Sequence, residues 1–386
     1  NMSFSIPPES ETLRKEIREL ARNEFMPKAK QWDENDEYPK ENIKKLAELG
    51  ILGLTIPEEY GGSGWDLFNI PIVTEEIAYA CPLTAFLLDP FLLTSRIILE
   101  YGSEELKKKY IPPIVKAEKI PCFALTEPVG GSDVAAMKTT ARLEGDEYVL
   151  NGEKIFNTQS AVADVYLVFA KTAPEKGPRG ISAILVDRNT KGLEIGKPIK
   201  MLGLRGVSIA PIVFKDVRVP KENLVGKEGE GLRIALGQLN EGRVQIAAVA
   251  LGIAQRALDE SISYAKQRTA FGQPIAKFQH VQRYLTDMAT WIEAARLLTL
   301  SAAFLLGKEE ARKEVIKKAS MAKLFATEIA AKCTAYAIQI MGGYGYTTEF
   351  PAEKLYRDVR VLTIVEGTSE IQRLIIARSI LGKEYA

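Results

Sequence analysis

Histidine and cysteine are nearly missing from this chain of 386 residues, which has one histidine, His280, and three cysteines, Cys81, Cys122 and Cys333. A single imidazole removes Ser-His-Asp, Cys-His and multi-histidine metal chemistry together, so acid–base work falls to carboxylates, Lys or Tyr. Three widely spaced cysteines build neither a disulfide framework nor a CxxC metal or redox site, and they point to a reducing compartment. Charge of one sign is missing too. With 51 Lys and Arg against 50 Asp and Glu, no long-range field exists to collect nucleic acid or an anionic membrane. Neither a GxGxxG after a strand nor a GxxxxGKS/T run occurs, which excludes the usual NAD and ATP cradles. The most apolar stretch, Leu83 to Leu99, is interrupted by Asp89, Pro90 and Arg96, so it reads as a buried core helix rather than a membrane span. No basic stretch followed by an apolar run opens the chain. The expectation is therefore a cytoplasmic protein, or a mitochondrial matrix one if a transit peptide has been removed; Asn1 before Met2 reads as an added residue.

What is present divides into three blocks, and more than one core is expected because single cores stop growing near roughly 250–300 residues. Residues 1–120 carry apolar side chains at three- and four-residue spacing, as in Leu13, Ile17 and Leu20, which predicts a helical domain. Gly50 follows a helix over 41–49, and Ser103 precedes Glu104 and Glu105 as an N-cap with acids in the first turn. In residues 121–227 the period changes to two. Asp146 to Leu150 runs into the turn pair Asn151-Gly152, followed by Val165 to Ala170, Ile181 to Val186 and Pro211 to Val219, so a β domain is expected. Residues 228–386 return to helical spacing after Gly226, Gly229 and Gly231, with breaks near Gly272-Gln273-Pro274, Gly307 and Gly342-Gly343. Four long helices imply a four-helix bundle. A mostly α chain with a middle β domain and no βαβ alternation argues against a doubly wound nucleotide fold.

Four segments carry chemistry. Val365-Glu366-Gly367-Thr368-Ser369 places a carboxylate before a glycine and a small polar pair that opens a helix. Gly367 admits a ligand close to the backbone, and the free N–H groups of the helix start suit a phosphate or a developing oxyanion; taken bare, the same residues are also an ordinary helix cap. Phe123 to Asp133 reads as a strand ending in a glycine-rich turn, whose exposed N–H groups suit a phosphate or amide chain while a flat heteroaromatic lies on the strand edge. Gln267 to Pro274 and Gln339 to Tyr346 each set polar groups and glycine at a bundle end. There Arg268 either clamps a pyrophosphate in two-pronged fashion or simply complements a helix dipole.

Taken in order, the blocks LTEPVGGSD, RTAFGQP, QIMGGYGY and VEGTSEIQR resemble the acyl-CoA dehydrogenase family across essentially the whole chain. The resemblance implies an N-terminal helical domain, a β-barrel-like middle domain and a C-terminal four-helix bundle. It also implies FAD at the junction of the last two, an acyl-CoA substrate, and a place in fatty-acid β-oxidation. Glu366 matches the catalytic base. Phe123, Leu125, Thr126, Ser132, Phe156 and Thr158 match the flavin-lining positions, with Ser132 also near the CoA arm. Arg268, Phe271, Gln279, Gln339, Gly342 and Gly343 match positions holding the adenine dinucleotide part, partly across a subunit interface, which implies a homo-oligomer, usually a tetramer. Thr368 and Glu370 match further FAD contacts; Asn240, Arg243 and Gly367 match positions that meet the substrate.

On this resemblance Glu366 removes the α-proton of the thioester, its carbonyl bound by the Glu366 N–H and a ribityl hydroxyl. The flavin takes the β-hydride, and electrons pass to an electron-transfer flavoprotein. Three departures stand out: Phe156 where many members stack tryptophan, Asn240 where aspartate commonly faces the CoA arm, and Asp89 on the helix that lines the acyl pocket. Asp89 is either the N-cap of a helix segment starting at Pro90 or a group that meets a polar or cyclic acyl chain, even as a second base. Thr84 stands where glutaryl-specific members carry arginine, which disfavours glutaryl substrates. The rival expectations are an oxidase of the same superfamily and a catalytically silent flavoprotein partner.

Overall fold

The computed structural model describes residues 5–386, so Asn1 and Met2 lie outside the described residues. The first helix, α1 (Pro8–Leu20), opens on a proline whose fixed φ suits a helix start. It carries Glu9 and Glu11 in its first turn and buries Leu13 and Ile17. Two short helices follow, α2 (Ala29–Asn35) and α3 (Lys40–Glu48), and the chain leaves α3 through Gly50 at φ 73°. Then come α4 (Asn69–Ala80), α5 (Pro82–Tyr101) and α6 (Glu104–Val115), the last capped by Ser103, whose hydroxyl accepts the Leu106 N–H at 3.2 Å. α5 runs unbroken through Pro90. By length and composition its 20 residues could cross a membrane, but 83% of the apolar window is buried inside the protein. It is the core helix of this domain, and a fully enclosed residue such as Phe91 contributes roughly 1.5–3 kcal/mol of burial.

The middle of the chain is one sheet: β1 (Pro121–Ala124), β2 (Thr140–Glu144), β3 (Glu147–Lys154), β4 (Val165–Lys171), β5 (Ile181–Asp187), β6 (Leu193–Ile195), β7 (Ile212–Pro220) and β8 (Leu224–Val225). Neighbours run β6-β7-β3-β2-β4-β5-β8, with β1 parallel to β4. Both faces of β4 are covered, which is why its sequence is continuously apolar. Val165, Leu167 and Phe169 join the large core shared with the helices, while Tyr166, Val168 and Ala170 join a second core enclosed by the sheet itself. One sequence expectation is corrected here. Asn151-Gly152 is no hairpin turn, because β3 passes straight through it with a bulge between Leu150 and Gly152. Gly152 sits at φ 148°, and a Cβ there would stand 2.3 Å from the Thr139 hydroxyl, so glycine marks a close approach rather than a reversal. The reversal lies at Gly145, between β2 and β3.

The C-terminal helices are α7 (Gly231–Gly237), α8 (Leu239–Gln267), α9 (Gln279–Phe304), α10 (Arg312–Met341), α11 (Ala352–Val359) and α12 (Ser369–Leu381). The two-stranded hairpin β9 (Thr269–Ala270) and β10 (Gln273–Pro274) separates α8 from α9. α8 packs against α9 and α10 on one side and reaches α4 and α5 on the other, which joins the two helical regions. Arg357 ties them further, donating to both carboxylate oxygens of Asp33 at 2.9 and 2.8 Å.

Candidate active site

Glu366 occupies a strained junction. Its φ is 54°, in the left-handed region that costs a non-glycine residue of the order of 1–2 kcal/mol, and Gly367 follows at φ 88°. The surroundings hold this shape in place. Gln372 donates to the Glu366 carbonyl at 3.1 Å and the Gly367 carbonyl at 3.0 Å, and the Lys323 ammonium donates to the Gly367 carbonyl at 2.8 Å. Lys323 is fully buried, and burial pushes its pKa down to about 8. Thr368 caps α12, its hydroxyl accepting the Ile371 N–H at 3.2 Å. The capping role thus belongs to Thr368, which leaves the Glu366 side chain free. Strain over-determined by its neighbours is a pattern that clusters at functional sites.

The carboxylate of Glu366 lies over α8 at Gly242, where a Cβ would come within 2.5 Å of Oε2. Gly242 belongs to the wall of a cavity between α4, α5 and α8, together with Ile70, Asp89, Leu92, Leu93, Glu241 and Gln245. On α5 the lining residues fall at i, i+3 and i+4, one helix face. Asp89 sits mid-helix in the unbroken α5, so the reading of it as a cap before Pro90 is corrected. It lines this cavity; burial first, then the nearby Glu366 carboxylate, pushes its pKa well above the usual range. Burial also pushes Glu241 up to about 7. Gln245 is held by the Thr74 hydroxyl and by the Ala85 carbonyl. Arg243, 6% exposed, faces Glu366 and donates to Asn240 at 3.0 Å. Thr84 does not reach the cavity; it is packed away, accepting from Asn42 and donating to the Cys81 sulfur.

A second group of expected residues comes together at the end of β1. The Ile155 N–H donates to the Thr126 carbonyl at 3.0 Å, which brings Phe123, Leu125 and Thr126 beside Phe156 and Thr158. Phe123 tilts against Phe169 with centroids 4.9 Å apart. Phe156 is 59% exposed, at φ 58°. Beneath them the fully buried Lys154 ammonium donates to the Leu125 carbonyl and to Glu127 at 2.9 and 2.7 Å, while Glu127 also accepts the Lys138 and Thr139 N–H groups. This buried pair fixes both ends of the turn that carries Ser132, which is exposed.

Arg268, Gly342 and Gly343 line a third, open cleft with Tyr264 and Tyr344, and Arg268 lies 5.5 Å from the Tyr344 ring centre. Nothing stands within 4 Å of a Cβ built at either glycine. Phe271 is 95% exposed at the tip of the β9–β10 hairpin. Gln279, Gln339 and Glu370 are exposed and do not line the cleft. Sequence inspection passed over Lys323, Gln372, Glu241, Gln245 and Lys154. The available signal was a lone polar residue on an otherwise apolar helix face, as in Ala322-Lys323-Leu324 and Val244-Gln245-Ile246.

Family models describing the N-terminal, middle and C-terminal domains of acyl-CoA dehydrogenases match residues 7–118, 122–217 and 229–381. The chain is 43% identical over 380 residues to the short-chain-specific acyl-CoA dehydrogenase of Clostridium acetobutylicum, covering 98% of this chain and 100% of that one. It is 44% identical to the NADH-dependent acryloyl-CoA reductase of Anaerotignum propionicum, covering 99% and 97%. The butyryl-CoA dehydrogenase structure from Megasphaera elsdenii superimposes with a TM-score of 0.94 at 37% identity, covering 98% and 100%.

Proposed function

From the premise that this chain belongs to the acyl-CoA dehydrogenase family, a family of flavin-dependent oxidoreductases acting on CH–CH bonds, we propose that it desaturates an acyl-CoA thioester with Glu366 as the α-proton acceptor. The single observation that carries this is the Glu366 carboxylate held over Gly242 at the wall of a part-apolar cavity by a strained, triply anchored junction. With the carbonyls of residues 366 and 367 tied back, the Glu366 N–H is left to receive the thioester oxygen, which acidifies the α-carbon. Glu366 then takes the proton.

The residues present fit FAD. Phe156 offers an exposed aromatic face beside Thr126 and Thr158, and Gly342 and Gly343 leave open backbone next to the Arg268 guanidinium, suited to a pyrophosphate. Bound there, the flavin supplies the hydride acceptor for the β-carbon. Asn240 and Arg243 hold the CoA arm near the cavity mouth, and Ser132 guides it from the exposed turn. The exposed Phe271 hairpin supports a homo-oligomer, a tetramer in our reading, in which another copy covers it. Electrons leave to an electron-transferring flavoprotein.

Anaerobic mixing with a panel of acyl-CoAs, following flavin bleaching, tests the proposal. Glu366→Gln is expected to retain yellow cofactor and lose roughly 10²–10⁴ of the bleaching rate; bleaching at the parent rate sinks it. The cavity carries acids but no cation among its lining residues, which disfavours dicarboxylic acyl groups. The Asp89 carboxyl in the cavity wall favours a narrower second reading, a polar or cyclic acyl group that meets Asp89. Unchanged activity and chain preference in Asp89→Ala removes it.

A further inference from the structure

Lys154, the last residue of β3, is fully buried, and the proposed reaction does not use it. Its ammonium donates to the Leu125 carbonyl at 2.9 Å and to Glu127 Oε2 at 2.7 Å. Residue 126, between the two, is held from the same side, because the Ile155 N–H donates to the Thr126 carbonyl at 3.0 Å. Glu127 carries the tie across the glycine-rich turn, its Oε1 accepting the Lys138 N–H at 2.6 Å and its Oε2 the Thr139 N–H at 3.2 Å. Three consecutive residues after β1 are thus fixed from the end of β3. Only the Thr126 hydroxyl is left over from this arrangement, with no hydrogen-bond partner among the described residues.

Packing alone does not call for such a device. A buried ion pair costs the desolvation of both charges, and apolar side chains of similar volume commonly stabilise a fold as well or better. An apolar side chain cannot capture a carbonyl, however, whereas an ammonium with three donors fixes several acceptors about one point. The pair stands where the two pieces of chain proposed to face the flavin meet: the end of β1, with Thr126, and the segment after β3, with Phe156 at φ 58° and Thr158. We infer that Lys154 is a positioning residue for the flavin: by holding Leu125 and Glu127, its ammonium sets the place of the Thr126 hydroxyl and so the hydrogen bond that this hydroxyl offers to the bound ring. Fully enclosed, Lys154 acts only through the residues on either side of Thr126.

This inference rests on the function proposed above, and the experiment separates their failures. Holoenzyme is diluted and FAD release is followed as the rise of flavin fluorescence, for the parent, Lys154→Met, Thr126→Val and the two combined; the visible spectrum of the bound flavin is recorded before dilution. Thr126→Val is expected to speed release roughly threefold to tenfold, the worth of one hydrogen bond. Lys154→Met is expected to match it and to shift the spectrum alike, and the combined variant to release FAD no faster than either single one, because both changes remove the same contact. A purely structural brace leaves a different record, a lowered melting temperature and an effect on release that multiplies with that of Thr126→Val. Multiplied effects overturn the inference. So does release at the parent rate from either single variant, or a folded Lys154→Met that is purified without flavin while Thr126→Val keeps it. Should Lys154→Met fail to fold, Glu127→Gln replaces it in the same cycle, since it removes the charge that holds the ammonium in place. All these failures leave the functional proposal standing; parent protein that binds no FAD defeats that proposal and the inference with it.

Discussion

The cavity beside Glu366 and the Arg268 cleft are built on opposite plans. Around the cavity the polar groups answer one another within this chain: Glu366 with Asp89 and Arg243, Lys323 with the Gly367 carbonyl, Gln245 with Thr74 and Ala85. The cleft offers its groups outward, with open glycines, an exposed Arg268 and, nearby in sequence, the almost bare Phe271. The first is preorganised, and its chemistry depends on distances already set. The second is open and depends on what binds it.

Gly242→Ala strikes the preorganised side hardest. A Cβ 2.5 Å from Glu366 Oε2 displaces the carboxylate, and a shift near 1 Å costs about 10²-fold in rate. The far end of a side chain yields, and alanine suits a helix interior better than glycine by roughly 0.5–1 kcal/mol, so the melting temperature is expected to hold or rise while bleaching slows. A melting temperature that falls together with the rate breaks the distinction between site and scaffold. Arg268→Ala tests the other plan. It is expected to weaken FAD retention by roughly tenfold, through a lost charge-assisted contact, and to leave the bleaching rate of fully loaded enzyme near that of the parent; a slowed rate at saturating FAD would tie the cleft to the chemistry.

The smallest effect is a slope. Burial holds the Lys323 pKa near 8 against an ordinary 10.5, so between those values the unfolded chain binds more protons than the folded one. Stability rises with pH in that window. Below about pH 8 both states carry the proton, and the cost of burying the cation is present in full. Lys323→Met is expected to flatten the rise, as urea unfolding measured at steps from pH 7.5 to about 10.5 would show.

The elements most legible in the sequence are those whose period is set by a single buried face. Leu13 and Ile17 announce α1, and Ser103 with its following acids announces α6. Asn151-Gly152 misled because a glycine at a close approach of two strands looks the same in one dimension as a glycine in a turn. Among site residues, Glu366 was visible through Gly367 and the Thr368 cap, since a helix start leaves a local mark. Lys323 and Gln245 left only a lone polar residue in an apolar helix face, which does not say what it meets, because their partners stand 44 and 160 residues away in sequence. Asp89 was visible as an acid in an apolar run, but the cap reading failed because α5, buried along most of its length, continues through Pro90.

α5 carries both the central core of the first domain and, at positions 89, 92 and 93, one wall of the cavity beside Glu366. Few of its residues are at liberty to drift. Under the proposed function, a descendant that adapts to longer or bulkier acyl groups does so through those three positions, through Ile70 on α4 or through the facing turn of α8, which together line the cavity. The repertoire of thioesters open to this scaffold is therefore narrow in the number of sites that evolve it and abrupt in the effect of each.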